Sequence, residues 1–257
     1  MIWAVGFRIR GQWVLTFETA PAELDILDEE LGLGRFVYPH RIPFVSETHT
    51  ERAQQRQRVF EQWQQTGRLS RGRLRDEFED LLRLWARPEV LVTQVATDLV
   101  TSAKVLSRGG WTGERGVLSR QTGDSVTFSE LRAAQVLPHI LEVLPEVPPV
   151  RIAPVAYVSH AHGGADLFGG SEPPREKRAA DRYFAVPPQR AGVVSCSVRG
   201  ADAGRLTWFD TLDGRFFTTV ERLPDGAQRH TFTPADRARI GHWVRDRVNQ
   251  HLSAVNR

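Results

Sequence analysis

The segment Leu206-Thr-Trp-Phe-Asp-Thr-Leu-Asp-Gly-Arg-Phe-Phe-Thr-Thr-Val220 decides how the fold of this chain is interpreted. Two stretches rich in β-branched and aromatic residues flank Asp213-Gly214, a dipeptide that supplies the positive φ a tight hairpin needs. A polar segment follows, and then a helix that begins near Pro234. The sequence therefore predicts a β-hairpin, a further strand and a helix at the C-terminal end of the chain.

A shorter version of the same pattern occurs earlier in the chain. There, Gly116–Arg120 and Val126–Phe128 flank the turn dipeptide Gly123-Asp124. A helix is predicted to follow from about Ser129. This earlier segment is thus a second candidate for a hairpin-then-helix unit.

The two copies can be aligned on a shared dipeptide. The later copy runs from Phe216 through the turn Asp225-Gly226 to Phe232 and its helix. Thr127-Phe128 and Thr231-Phe232 then occupy equivalent places, roughly a hundred residues apart. The alignment predicts a twofold internal repeat of strands and helix, with no catalytic cluster on it. Such a repeat favours a scaffold that presents a surface.

Composition and length place the chain among globular proteins. Its 257 residues are 40% hydrophobic and 25% charged, which is enough for a sizeable core and too apolar for a disordered chain. The segment Leu144-Pro-Glu-Val-Pro-Pro-Val150 is the natural boundary between two halves. We expect an N-terminal half over residues 1–149 and a C-terminal half over residues 150–257, both in one compact domain.

The charge pattern argues against nucleic acid as a partner. The formal net charge is +3, but acidic residues are interleaved with the basic ones along predicted helices, as in Arg73–Asp80. Mixed charges of this kind usually form solvated, salt-bridged faces rather than a basic stripe. The single cysteine, Cys196, excludes an internal disulfide and a cysteine zinc cage, and its alternating surroundings predict a buried strand position.

No targeting or membrane segment is predicted. The apolar N-terminus is interrupted by Arg8 and Arg10, and no run approaches the length of a membrane span. We therefore expect a soluble, cytoplasmic protein without membrane insertion.

One motif raises the alternative of a metal-dependent hydrolase. His160, His162 and Asp166 resemble a metal-ligand cluster, although the aspartate falls one place late and the histidine that should follow it is missing. The other interpretation is a Gly/Pro-rich loop over residues 160–182 with surface histidines. Gly109–Gly113 lacks the lysine of a phosphate loop and is interpreted as a turn. We expect no catalytic residues, no metal site and no cofactor.

Two adjacent aromatic residues, Trp208 and Phe209, must point to opposite faces of their strand. If helices cover only one face of the sheet, one of the two rings is presented outward, where it can dock a protein partner. If a second helical layer is present, both rings are buried. The sequence alone leaves these alternatives open.

Short segments along nearly the whole chain occur in an order that is informative as a set. They are Leu31-Gly-Leu33, Gly67-Arg-Leu69, Trp85-Ala-Arg-Pro88, Gly116-Val-Leu-Ser119, Val126-Thr-Phe128, Leu144-Pro-Glu-Val-Pro-Pro149 and Trp208-Phe-Asp-Thr-Leu-Asp-Gly-Arg215. In this order they resemble the EspG family, the cytoplasmic chaperones of mycobacterial-type ESX (type VII) secretion. None of the segments is a catalytic motif.

The resemblance implies a fold and a function. The implied fold is a quasi-twofold α+β domain, a central antiparallel sheet flanked by two helical bundles. The implied function is to bind the helical tip of the PPE subunit of PE–PPE heterodimers, to keep it soluble and to deliver it to the secretion machinery. The short 96–102 connection and the 160–182 loop depart from the family pattern, which leaves the client open. Homodimer formation is open as well.

We predict that the contact surface lies on the second repeat. An apolar partner tip needs exposed apolar area surrounded by polar groups. The predicted apolar contacts are Trp208, Phe209, Phe216 and Phe217, and the predicted polar surround is Arg199, Arg205 and Arg215.

Overall fold

The computed structural model describes residues 7–9, 12–34, 37–44, 46–159 and 175–255. The chain divides into two compact units, each built from several segments. Unit 1 comprises Met1–Gln94, Val105–Ile140 and Ser197–Ala201, and unit 2 comprises Val95–Lys104, Leu141–Cys196 and Asp202–Arg257. The predicted boundary between residues 149 and 150 remains a prediction.

Unit 1 combines helices with an antiparallel sheet. Elements that cross a unit boundary are grouped with the unit that holds most of their residues. The elements are β1 (Phe7–Ile9), β2 (Gln12–Val14), β3 (Thr16–Thr19), α1 (Pro21–Leu31), α2 (His49–Gln65), β4 (Leu69–Ser70), β5 (Arg73–Leu74), α3 (Asp76–Ala86), β6 (Val90–Asp98), β7 (Lys104–Thr112), β8 (Arg115–Thr122), β9 (Ser125–Arg132) and α4 (Ala133–Leu141).

Local sequence signals set the ends of these helices. Pro21 occupies the first turn of α1, and Gly32 ends that helix with a left-handed φ of 60°. Thr48 caps α2 through a reciprocal capping box with Glu51. In α3 the buried residues Phe78, Leu81, Leu82 and Trp85 form the single apolar face that their spacing indicates.

The sheet of unit 1 has the strand order β6-β7-β8-β9-β3. Phe17 on β3 lies opposite Phe128 on β9, and the two rings stack with centroids 4.8 Å apart. Trp85 of α3 meets Phe128 edge-on at 5.0 Å. Residues from α1, α2 and α3 join this cluster, so one face of the sheet is buried under three helices.

Glycines in β7 and β8 allow close packing rather than a turn. A Cβ at Gly109 would lie 2.6 Å from Cγ1 of Val136 on α4, and one at Gly110 would lie 2.5 Å from Cγ of Pro88. Gly116 likewise faces Val136 at 2.4 Å. The predicted turn at Gly109–Gly113 is therefore wrong for Gly109 and Gly110, which lie inside β7, and is present only at Gly113, which directly follows that strand.

A buried polar network fixes the loop between α1 and α2. Nε2 of His40 lies 2.6 Å from Oγ of Ser119, which also accepts a hydrogen bond from Nε1 of Trp85 at 2.6 Å. Oγ of Ser119 donates its own hydrogen to the carbonyl of Arg108, so we assign the proton of His40 to Nε2. Burial, and then the charge of Arg108, lower the pKa of His40 to about 3. This histidine is neutral in the folded protein.

Unit 2 contains a second antiparallel sheet region and its own helices. Its elements are β10 (Val155–Ser159), α5 (Arg175–Asp181), the 3₁₀ helix Arg182–Phe184, β11 (Arg190–Val198), β12 (Ala201–Thr211), β13 (Gly214–Arg222), β14 (Gln228–Pro234) and α6 (Arg237–Val255). The strand order is β10-β14-β13-β12-β11.

The predicted hairpin is present as β12 and β13. Thr211 lies opposite Gly214, so the turn residues are Leu212 and Asp213 and only Gly214 has a positive φ, of 131°. A Cβ at Gly214 would lie 2.6 Å from the carbonyl oxygen of Pro148. Glycine is required there by both its backbone conformation and its neighbour.

The last helix covers one face of this sheet. Trp243 of α6 lies 6.3 Å from Phe217, and its ring is 3.1 Å from the position that a Cβ of Gly204 would take. The inner residues of α6, Ile240, Val244 and Val248, are buried. We call this the packed face of unit 2.

Two predicted boundaries are wrong. β9 continues to Arg132, so the helix predicted from Ser129 begins only at Ala133. The strand persists because Ser129 remains paired with Leu118 on β8 and Thr16 on β3. The predicted loop over 160–182 is wrong from residue 175 onward, where α5 and the 3₁₀ helix lie.

The predicted α+β class and antiparallel sheet are confirmed. In each unit, four strands that follow one another in the chain lie side by side, β6 to β9 in unit 1 and β11 to β14 in unit 2. An earlier strand, β3 or β10, pairs with the last of the four. The twofold relation between the copies and the two flanking bundles remain predictions. In the part of the chain that the structure describes, no helix is long and apolar enough to cross a membrane.

Candidate partner-binding surface

The hairpin in unit 2 places the predicted aromatic residues on two opposite faces. Trp208 lies opposite Phe217, and Phe209 lies opposite Phe216. Because successive side chains alternate across a strand, the first pair shares one face and the second pair shares the other. The predicted opposition of Trp208 and Phe209 is thus present.

Trp208 and Phe217 lie on the packed face and are not available to a partner in the folded unit. Their exposed fractions are 1% and 4%. A Cβ at Gly192 would lie 2.6 Å from the ring of Trp208, which shows how closely β11 approaches it. Both rings act as core residues.

The predicted arginines have three different environments. Arg215 is fully buried, pairs with Asp210 at 2.6 Å and donates to the carbonyl of Pro145 at 2.9 Å. Arg205 is exposed and its Nε donates to Oγ of Ser195 at 3.2 Å. Arg199 belongs to unit 1, where it pairs with Glu89 at 2.7 Å. Burial removes Arg215 from any polar surround of a contact surface.

The other face of the unit 2 sheet is only partly covered. Along β11 and β12, every second residue is buried and most of the residues between them are half-exposed, as expected for a sheet solvated on one side. We define the aromatic patch as the partly or fully exposed side chains Tyr157, Phe184, Phe209, Val220 and His230.

Strand register brings three members of the aromatic patch into one row. His230 on β14 lies opposite Tyr157 on β10 and opposite Val220 on β13. The rings of Tyr157 and His230 stack at 4.8 Å, and Nε2 of His230 lies 2.9 Å from Oγ of Ser159. Val220 is 56% exposed beside them. The row is therefore preorganised in the free protein.

Phe184 and Phe209 form the second part of the aromatic patch. Their rings meet edge-on at 5.1 Å, and Phe209 stacks on the buried Phe216 at 5.1 Å. Phe184 is 44% exposed although it also contacts Phe216 at 5.3 Å. The buried ring of Phe216 thus supports the more exposed rings of Phe184 and Phe209.

Tyr183 fixes the segment that carries Phe184. Its ring lies 4.9 Å from Phe216 and 5.4 Å from Phe232, and its hydroxyl donates to the carbonyl of Ala153 at 3.0 Å. Burial raises the pKa of Tyr183 to about 12, so this hydroxyl stays protonated at neutral pH. The 3₁₀ helix is consequently anchored from below.

The chemistry of the aromatic patch is suited to binding. Exposed aromatic and aliphatic groups on a fixed backbone can bury apolar side chains of a partner at low entropic cost. Within the described ranges, no group of three or more His, Cys, Asp or Glu side chains could hold a metal ion. Burial, and then the charge of Asp202, raise the pKa of Cys196 to about 11, so this thiol is not a reactive thiolate. His160, His162 and Asp166 lie outside the described residues.

Four of the five patch residues were missed by sequence reasoning. Phe184 falls just after a segment dominated by Gly, Pro and charge, and the Arg182-Tyr-Phe184 aromatic pair was the only local signal there. Tyr157, Val220 and His230 lie on strands that were predicted, but their alignment into one row depends on the register between strands.

Comparisons with known proteins bear on the family and the fold of the chain. The model of the EspG family matches residues 20–246 of the chain. The structure of the Mycobacterium tuberculosis type VII secretion system chaperone EspG5 in complex with a PE25-PPE41 dimer contains a chain of similar fold, with a TM-score of 0.57 and 12% identity. The match covers 90% of this chain and 94% of that chain. A search of curated proteins gives no significant match.

Proposed function

Because this chain belongs to the EspG family, we propose that it is a cytoplasmic secretion chaperone for PE–PPE heterodimers. It binds the heterodimer through the helical tip of the PPE subunit, keeps that tip soluble and delivers it to a type VII secretion system. It acts by binding, without catalysis or a cofactor. The fold shared with EspG5, a chaperone solved with a PE–PPE dimer, supports this proposal.

The observation that carries the proposal is the aromatic patch of unit 2. In a soluble protein without a partner at this place, such apolar side chains would be buried or replaced by polar ones, yet Val220 is 56% and Phe184 44% exposed. A helical tip with apolar side chains can pack on a flat sheet surface of this kind, with Arg205 among the surrounding polar groups. The proposed contact residues are thus Phe209 and Arg205 from the original prediction, together with the rest of the aromatic patch.

The test is co-expression with PE–PPE pairs encoded near this gene, followed by affinity capture and size exclusion. We expect a stable heterotrimer with one pair. Val220→Asp and Phe184→Asp should each weaken capture at least ~10-fold, because each places a charge in the desolvated centre of the contact. Both side chains are substantially exposed in the free protein, so both variants should fold.

The matched control is Leu212→Asp, in the turn of the same hairpin. Leu212 is 77% exposed and lies outside the aromatic patch, so the same change should leave capture unaltered. A heterotrimer that tolerates both patch variants would move the contact surface elsewhere. Failure of every pair to bind the folded protein would contradict the proposed function.

A further inference from the structure

The strand β10 is an open edge of the sheet in unit 2. One of its sides pairs with β14 over five residues, from Val155 opposite Phe232 to Ser159 opposite Gln228. Among the strands that the structure describes, none pairs with its other side. Alternate backbone N–H and C=O groups of β10 therefore point outward with no ladder partner among the described residues.

The sequence of this edge does nothing to prevent further pairing. Exposed edges in natural proteins usually carry a charged residue, a proline or a bulge that disfavours strand addition. The strand Val155-Ala-Tyr-Val-Ser159 has neither charge nor proline, and its register with β14 is continuous.

Both sides of β10 carry apolar groups. Val155 and Tyr157 are half-buried and lie on the side of the sheet that carries the aromatic patch, of which Tyr157 is a member. Ala156 and Val158 lie on the opposite side and are exposed, Val158 by 42%. The helix α5 meets β10 on the patch side, because Ala180 is buried in the cluster that Val155 and Tyr157 also contact. That helix leaves Ala156 and Val158 uncovered.

We propose that β10 pairs antiparallel with β10 of a second copy of this chain, about a twofold axis at Tyr157. In this register Tyr157 meets Tyr157, Val155 meets Ser159, and Ala156 meets Val158. A residue near a twofold axis lies opposite the same residue of the second copy. A charged residue on such an edge would therefore face a like charge. The neutral sequence of β10 avoids that repulsion, and each larger flanking side chain meets a smaller one.

The pairing has a consequence for the surface. A twofold axis between antiparallel edge strands runs perpendicular to the sheet, so both copies present the same face on the same side. The aromatic patches of the two copies would then lie on one common surface, with the two Tyr157 rings between them. The homodimer is a separate inference from the proposed function, because it depends on the edge and not on client binding.

The test measures the mass of the full chain by sedimentation equilibrium over a range of concentrations. We expect a monomer–dimer equilibrium for the unmodified chain. The double variant A156K/V158K and the double variant A156E/V158E should each stay monomeric where the unmodified chain is dimeric. An equimolar mixture of the two should recover the dimer, because each lysine then faces a glutamate in the proposed register.

A second variant tests the pairing without added charge. Under mild oxidation, Tyr157→Cys should form an intermolecular disulfide, because residue 157 meets its own copy across the axis. Leu212→Cys, on a turn that is more exposed than Tyr157, is the control and should nevertheless cross-link far less. Cys196 is 3% exposed and does not compete.

Several outcomes would overturn the pairing. In the sedimentation experiment they are an unmodified chain that is monomeric, lysine variants that dimerise as well as the unmodified chain, or a mixture of folded lysine and glutamate variants that fails to associate. In the oxidation experiment the contradicting outcome is that Tyr157→Cys forms no more intermolecular disulfide than the control. Pairing of β10 with an extended segment of another protein, with no dimer, would also overturn it. Capture of PE–PPE by A156K/V158K separates the two proposals, since Val220 and Phe184 are intact in that variant.

Discussion

The two units build the same order of strands and cover it differently. In unit 1 the sheet face that carries Phe128 is buried under α1, α2 and α3, and Phe128 is 0% exposed. In unit 2 the face that carries Phe232 is met, among the described residues, by the short α5, the 3₁₀ helix and the side chains of Val150 and Ile152, and Phe232 is 8% exposed. Helical cover, not strand order, therefore distinguishes a core from a surface in this protein.

One pair of positions shows what the difference in cover means for side chains. With Phe128 matched to Phe232, Gln121 on β8 corresponds to Val220 on β13. Gln121 is buried and exchanges two hydrogen bonds with the backbone of Arg41, at 2.8 and 3.1 Å. Val220 is exposed. The covered place thus carries a polar residue and the open place an apolar one, the reverse of what solubility alone would select.

The largest expected effect separates the two aromatic clusters. Phe128→Ala should lower the free energy of unfolding by about 3–5 kcal/mol, because it removes a ring that packs on both Phe17 and Trp85 in a dense core. Phe232→Ala should cost less, because its cluster is smaller and open to solvent on one side. Urea denaturation of both variants measures the difference. Equal losses would show that the two clusters are equally well packed.

Particular residues show how far sequence reasoning reaches. The hairpin of β12 and β13 was predictable, because alternation and Asp213-Gly214 are local signals. The strand position of Gly109 and Gly110 was not, because the reason for these glycines is contact with Val136 and Pro88, which are distant in sequence. Local rules do not show such contacts.

The candidate surface was predictable only in part. Alternation showed that Trp208 and Phe209 oppose each other, but only the packing of α6 decides which of them is buried. Arg215 was expected at the surface, since arginine usually is, and it is instead buried against Asp210. Composition marked residues 160–182 as a loop, whereas Tyr183, which directly follows it, is held in place by aromatic neighbours far along the chain.

A smaller effect concerns the pH dependence of unit 1. The pKa of His40 is lowered from 6.5 to about 3, first by burial and then by Arg108. The unfolded chain therefore protonates this histidine as the pH falls below about 6.5, whereas the folded chain keeps it neutral until the pH approaches 3. The stability that this difference affects is present above pH 6.5 and is lost as the pH falls from 6.5 towards 3. Between pH 7 and pH 5 this one group should cost about 2 kcal/mol.

The variant His40→Gln isolates this contribution. Glutamine can replace the Nε2–H donor to Ser119 but does not titrate. The measurement is the free energy of unfolding of both proteins at pH 7 and pH 5. The variant should lose less stability than the unmodified chain over this interval. Identical losses in the two proteins would contradict the buried neutral histidine.

The smallest expected effect comes from exchanging the matched residues Gln121 and Val220. Gln121→Val leaves the backbone N–H and C=O of Arg41 without their partner. It should lower the free energy of unfolding by about 1 kcal/mol, because Arg41 is exposed and water can partly replace the lost amide. Val220→Gln should change stability by less than about 0.5 kcal/mol, as expected for a surface position. Thermal unfolding of the two variants measures both values.

The same exchange decides whether the exposed valine serves a partner. If Val220 belongs to a contact surface, Val220→Gln keeps the fold and weakens capture of a PE–PPE pair, because an amide must then be desolvated without a partner. If Val220 is merely a tolerated surface residue, the variant keeps both its stability and its capture of the PE–PPE pair. A loss of binding without a loss of stability would show that the open face of unit 2 is maintained for an occupant, whereas the covered face of unit 1 is maintained for the fold.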